Sequence, residues 1–134
     1  MQYTNRGSYE HANRARQLLR FDGLKYNNIT PMDLDGLIEW HDRKRVLLEI
    51  KLNKTPVPYG ERLALERMVK DFQRCGKESL AIIADHKVFD IKQDVKVEDC
   101  LVRELYHSRE QEWRPPKRMM TVRMLLDSFL LSEG

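Results

Sequence analysis

Residues 47–53 read LLEIKLN. A run this aliphatic has the composition of a buried strand, yet it carries a carboxylate at Glu49 and an ammonium at Lys51. Side chains alternate across a strand, so Val46, Leu48, Ile50 and Leu52 face one way while Leu47, Glu49 and Lys51 face the other. One face is apolar; the other sets opposite charges side by side.

Just upstream, residues 32–40 alternate Met32, Leu34, Ile38 and Trp40 against Asp33, Asp35 and Glu39, and a charged turn at residues 41–44 follows. The two runs predict a β-hairpin. Residues opposite each other in a hairpin share a face, so the two apolar sets must align, which carries Asp33 and Asp35 onto the face of Glu49 and Lys51. The alignment requires an odd number of loop residues or a bulge, and its simplest register sets Asp35 opposite Glu49.

Outside the hairpin, the apolar stripe of Ala12, Ala15, Leu18 and Leu19 predicts a first helix over residues 8–20, ending before Phe21-Asp22-Gly23. A strand is expected at 24–29. Residues 55–60, TPVPYG, form a loop, because two prolines within three residues cannot continue a paired strand. Leu65, Met68, Val69 and Phe72 then recur at helical spacing up to Cys75-Gly76. Residues 80–84, LAIIA, suit a strand buried on both faces. The order is αβββαβ. Beyond Asp85 the spacing predicts a strand over 100–106, a basic and aromatic loop at 112–118 (EWRPPKR), and a helix with the stripe Val122, Leu125, Leu126, Phe129 and Leu130.

The chain has 134 residues, enough for one core and short for two. A single domain over 1–134 is expected, with a core at about 5–90 and a C-terminal extension at about 91–134. Hydrophobic content of 41% with 34% charged residues is that of a soluble globular protein, and no apolar run nears the roughly 18 residues of a membrane span. The N-terminal MQYTNR has no apolar segment of a signal peptide, so the expected compartment is the cytoplasm. Cys75 and Cys100 stand far apart with no metal-ligand spacing and read as reduced thiols. A net charge of +3 permits a nucleic-acid partner without requiring one.

Two carboxylates on adjacent strands repel unless a positive charge lies between them, and hard oxygen ligands suit Mg²⁺ or Mn²⁺. Such an ion polarises a phosphoryl oxygen and acidifies bound water, while a lysine beside it orients that water or stabilises developing charge. The plainer reading is a solvated face of a two-stranded edge, with a Lys51–Glu49 pair contributing under about 1 kcal/mol. The Asp-x-Asp-Gly at residues 33–36 and the helix that follows argue for the site instead.

In these residues, ITPMDLDGLIEW and VLLEIKL, the chain resembles the core of the PD-(D/E)XK nuclease superfamily. The resemblance implies a restriction-endonuclease-like α/β fold: an αβββαβ core whose mixed central sheet is flanked by helices, followed here by the extension with its terminal helix. It places Asp35, Glu49 and Lys51 in the catalytic pattern, with Asp33 as the alternative for the first. It implies metal binding by Asp35, Glu49 and the carbonyl of Ile50, with Mg²⁺ or Mn²⁺ as cofactor. The stretch YGERLALERMVKDF resembles the helix that closes the site in phage members, and Glu61 matches the acidic position in its first turn. Glu61 lies four residues before Leu65, on the buried stripe, where a carboxylate needs a reason. A favourable contact with the helix N-terminus, worth about 0.3 to 1 kcal/mol, is the other account. Glu10, which some relatives would use, falls nearly opposite the first helix's apolar stripe and reads as surface.

Phosphate contacts could come from Arg14, Arg16 and Arg20, from Lys54, and from Arg114, Lys117 and Arg118, with Trp113 either stacking on an unpaired base or packing as a satellite of the core. The expected function is a metal-dependent endonuclease acting on DNA rather than RNA, on branched or single strands, in the cytoplasm of a bacterial host if the gene is a phage's. The alternative is a nuclease-fold protein without turnover that binds nucleic acid or acts as a phage regulatory or anti-defence protein. A homodimer would suit cutting of two strands, although no heptad or large apolar patch marks an interface.

Overall fold

The computed structural model describes residues 18–132. They belong to two units, Met1–Asp33 and Leu34–Gly134.

In the first unit, residues 18–20 carry no regular structure and Leu18 and Leu19 are exposed, so the expected helix does not reach Arg20; its earlier part, with Glu10, Arg14 and Arg16, lies outside the described residues. The strand expected at 24–29 does not form. Tyr26 and Ile29 exchange backbone hydrogen bonds of 2.8 and 2.9 Å across Asn27 and Asn28, whose φ values of 51° and 69° are left-handed. Consecutive left-handed residues are what a two-residue turn demands, and asparagine tolerates them.

The second unit is α/β. A five-stranded mixed sheet, in the order β1 to β5, is built from β1 (Gly36–Trp40), β2 (Lys44–Leu52), β3 (Glu78–His86), β4 (Leu101–His107) and β5 (Trp113–Arg114). Only β2 and β3 run parallel, and helix α1 (Tyr59–Arg74) makes the crossover between them. Helix α2 (Val122–Leu130) ends the described fold, capped by the Thr121 side chain, which accepts from the Met124 amide at 3.1 Å. Among the described residues no helix is long and apolar enough to cross a membrane.

The hairpin has the expected register: Ile38 pairs with Val46 and Gly36 with Leu48 across the three-residue loop 41–43. His41 and Asp42 adopt left-handed φ there. Gly36 lies close to its partner, since a Cβ would sit 3.0 Å from Leu48 Cδ1 and press that side chain aside. Helix α1 ends at a left-handed Gly76 (φ 80°), with Gly76 and Lys77 amides bonding the carbonyls of Gln73 and Phe72. That pairing is a Schellman cap.

Both sheet faces are covered. Val46, Leu48, Leu80, Ile82, Val102 and Leu105 join Val122 and Phe129 of α2 in one apolar cluster. On the other face Leu47, Ala81, Ile83 and Tyr106 are buried on the side of α1, whose Leu65 and Val69 point inward. Ser79 ties this layer together by donating to the Val69 carbonyl at 3.1 Å. Residues beyond 90 thus supply two strands, a helix and part of the core. Lys44, read as part of a turn, is instead the buried first residue of β2, its ammonium 2.5 Å from the Phe129 carbonyl at the C-terminal end of α2. A cation is favoured there by the helix dipole. Cys75 is exposed, Cys100 is buried, and both are free thiols.

Candidate active site

The pairing that sets Gly36 against Leu48 brings Asp35, one residue before β1, level with Glu49. Asp35 Oδ2 accepts a hydrogen bond from the Ile50 amide at 2.7 Å. A strand residue directs its N–H and C=O to the same neighbour, so the Ile50 carbonyl also faces the Asp35 edge of β2. Asp35 and the Ile50 carbonyl are therefore neighbours along this edge, next to Glu49 in the strand.

Glu49 is 5% exposed, on a strand paired on both sides, which removes the solvated-edge reading. Its Oε2 lies 3.2 Å from the Lys51 ammonium, while its Oε1 is buried with no hydrogen-bond partner. A buried polar atom left unpaired costs about 1–3 kcal/mol, so it points to a ligand or a proton. Burial, then the neighbouring Glu61 and Asp35 carboxylates, push the Glu49 carboxyl up to about 7.

Glu61, in the first turn of α1, stands 3.4 Å from Lys51. The packing of α1 on the sheet thus delivers a second carboxylate to the lysine, from a residue on the helix's buried stripe. Burial alone would lower the Lys51 pKa; the Glu49 and Glu61 carboxylates outweigh it and raise it. Lys51 is therefore a fixed cation in the midst of acidic groups.

Two residues of this face were missed. Asp85 is the lateral partner of Lys51 on β3, and Arg103 of β4 grips it, with its Nε at 3.0 Å. The β3–β4 register shifts between Ile83 and Ala84, leaving Arg103 unmatched, and such a bulge re-aims a side chain. The Arg103 guanidinium holds the Asp85 carboxyl below its usual range. With Asp85 so engaged, Lys51 is left to Glu49 and Glu61. A carboxylate closing the apolar run LAIIAD was the available signal, the same kind that singled out Glu49.

The nucleic-acid candidates scatter. Lys54, exposed with φ of 62°, sits in the turn after β2, where its amide donates to Asp85 at 3.1 Å; beside it a cavity of about 580 Å³ opens at the carboxyl ends of β2 and β3. Arg20, in the first unit, pairs with Asp22 at 3.2 Å. Trp113 is not in a loop: it forms β5, stacks obliquely on Tyr106 at 5.3 Å, lies under the Arg62 guanidinium, and donates to Glu66 at 2.7 Å. Its ring is committed within the fold, the satellite-core reading. Arg114 pairs with Glu110 at 3.2 Å, and with Lys117 and Arg118 it borders a cavity on the face of the sheet opposite Glu49.

Among the described residues no group of three or more His, Cys, Asp or Glu side chains is arranged as a metal cage. A metal here would rest on two carboxylates and a carbonyl and keep several waters, the coordination Mg²⁺ favours. The orphaned Glu49 oxygen beside Asp35 fits such an ion. Compared with protein-family models, curated proteins and solved structures, the chain matches none.

Proposed function

We propose that the chain is a metal-dependent endonuclease that hydrolyses phosphodiester bonds in DNA. The observation that carries this reading is the buried, unpartnered Glu49 Oε1, level with Asp35 and flanked by Lys51. A divalent ion bound there would polarise the phosphoryl oxygen and acidify a water. Asp35 and Glu49 would hold it, with the Ile50 carbonyl as a neutral third ligand. Lys51 would place its charge where negative charge grows on the phosphorus oxygens. Glu61 holds the Lys51 ammonium from the helix side, and the Arg103–Asp85 pair keeps a competing carboxylate away from it. Lys54 lies at the end of the same strand and would steady the DNA backbone.

DNA, rather than RNA, follows from the superfamily resemblance, as does a bacterial or phage setting. A second reading has its own observation: Lys51 already bridges Glu49 and Glu61, and Asp35 is already bonded to the Ile50 amide, so the cluster can stand as a self-neutralised structural element. The protein would then bind nucleic acid, as a regulatory or anti-defence protein, without turnover. Incubation with duplex, single-stranded and branched DNA plus Mg²⁺ or Mn²⁺, with and without chelator, separates the two readings.

A further inference from the structure

The basic loop at 114–118 is not beside the carboxylate cluster. The Lys44–Glu78 end of the sheet lies five residues along β2 from Glu49, about 17 Å at strand rise. At that end, on the face carrying Leu80 and Leu105, a cavity of about 530 Å³ is lined by Arg109, Arg114, Lys117 and Arg118, with Glu78 as its carboxylate. Four cations against one anion leave three positive charges, and discounting Arg114 for its Glu110 pair leaves two. Glu78 is itself held by Arg109 at 2.6 Å, by His107 at 3.0 Å and by the buried Lys44 at 3.9 Å, which keep its carboxyl ionised against its burial. Among the described residues neither Lys117 nor Arg118 has a carboxylate partner, and both are exposed.

The rest of the wall is mixed: Leu105, Met120, Leu125 and Phe129 make an apolar side, and His107, Ser128 and Ser132 add polar groups. A ligand that matches joins a dianion to a body that meets both an apolar side and polar groups, as a nucleoside does. A phosphate monoester carries about −1.5 to −2 charges at neutral pH, and arginine forks match its oxygens. A single carboxylate would leave a positive charge uncompensated. The volume lies within the range of about 300 to 1,000 Å³ usual for small-ligand pockets. We propose that this cavity binds a nucleotide through its phosphate monoester, at a site separate from the carboxylate cluster. The ligand is either a free mononucleotide or the phosphorylated end of a strand. The proposal does not depend on the nuclease reading, because it uses none of that site's residues.

The test is calorimetric titration in chelator-containing buffer with AMP, adenosine, inorganic phosphate and succinate. AMP should bind at least tenfold more tightly than adenosine, phosphate or succinate, and more weakly as salt rises. Lys117→Ala with Arg118→Ala should reduce the AMP affinity at least fivefold without moving the melting temperature, since both side chains are exposed. Ser128→Glu, which puts a negative charge on the α2 side of the cavity, should do the same, and Lys51→Ala should change nothing. A single-stranded oligonucleotide with and without a 5′-phosphate distinguishes the sources: a preference lost in the double variant assigns the strand end, and no preference assigns the free nucleotide. AMP binding no tighter than adenosine, phosphate or succinate would overturn the proposal. So would an affinity lost in Lys51→Ala but kept in the loop variants.

Discussion

Asp35 accepts the Ile50 amide at 2.7 Å, so a side chain takes the place that a backbone carbonyl would hold had β1 continued by one more pair. The bond closes the hairpin's open end and fixes one carboxylate oxygen at the edge of β2.

This double role separates two substitutions. Asp35→Asn keeps an oxygen for the Ile50 amide, so it should retain the fold while weakening Mn²⁺ binding by at least tenfold. Asp35→Ala should abolish Mn²⁺ binding and also lower stability by about 1 kcal/mol, the scale of one lost hydrogen bond. Calorimetric titration with Mn²⁺ and thermal melts check both. Metal binding by Asp35→Ala equal to that of the parent would remove Asp35 from the site.

The Glu49 carboxyl, pushed up to about 7, sets a pH dependence with a definite sign. Above 4.5 an unfolded Glu49 loses its proton while the folded one keeps it, so the native state binds more protons and stability falls as pH rises from 4.5 to about 7. The loss amounts to up to about 3 kcal/mol at 1.36 kcal/mol per unit. Glu49→Gln should flatten that decline in denaturant titrations at pH 5, 6 and 7. Metal competes with the same proton, so Mn²⁺ affinity should climb towards tenfold per pH unit below about 7 and level off above it. A flat profile over pH 5 to 7 in the parent protein would contradict the assignment.

Trp113 belongs to the fold. Trp113→Phe keeps a ring against Tyr106 but strands Glu66, and should cost about 1 kcal/mol; Trp113→Ala should cost about 2–3 kcal/mol as a partly buried aromatic is removed. At temperatures where both variants stay folded, affinity for single-stranded DNA should be unchanged. An affinity loss of tenfold or more in Trp113→Phe would return the indole to a base-stacking role.

The hairpin and its acidic register were legible because a period of two and one wholly apolar face permit a single alignment, and because Asp35, Glu49, Lys51 and Glu61 each sit on a short stretch with a clear period. The cover of the other face was legible only through the resemblance: Leu47 and Glu49 share it and α1 covers it, but sequence spacing alone does not say which helix lands on which face. Residues 24–29 look strand-like by composition, but Asn27-Asn28 reverses the chain there, a left-handed pair of the kind turns favour. The Arg103–Asp85 clamp joins β4 to β3 through a bulge, and a register shift of this kind leaves no mark on a single strand's pattern. Trp113 was ambiguous because its hydrogen-bond partner, Glu66, lies on a helix 47 residues away.

The central claim rests on Lys51 held between Glu49 and Glu61 as a cation for the transition state. A residue that acts there should matter far more to cleavage than to binding. The most direct measurement is therefore cleavage of duplex, single-stranded and branched DNA by the parent, Lys51→Ala and Glu49→Gln proteins in Mn²⁺ or Mg²⁺, with DNA affinity measured alongside in chelator. The expected result is metal-dependent cleavage by the parent alone, abolished by chelator, with the affinity of Lys51→Ala within a few-fold of the parent's. Parent protein that cuts no substrate with either metal, or cleavage that survives chelator or Glu49→Gln, would contradict the account.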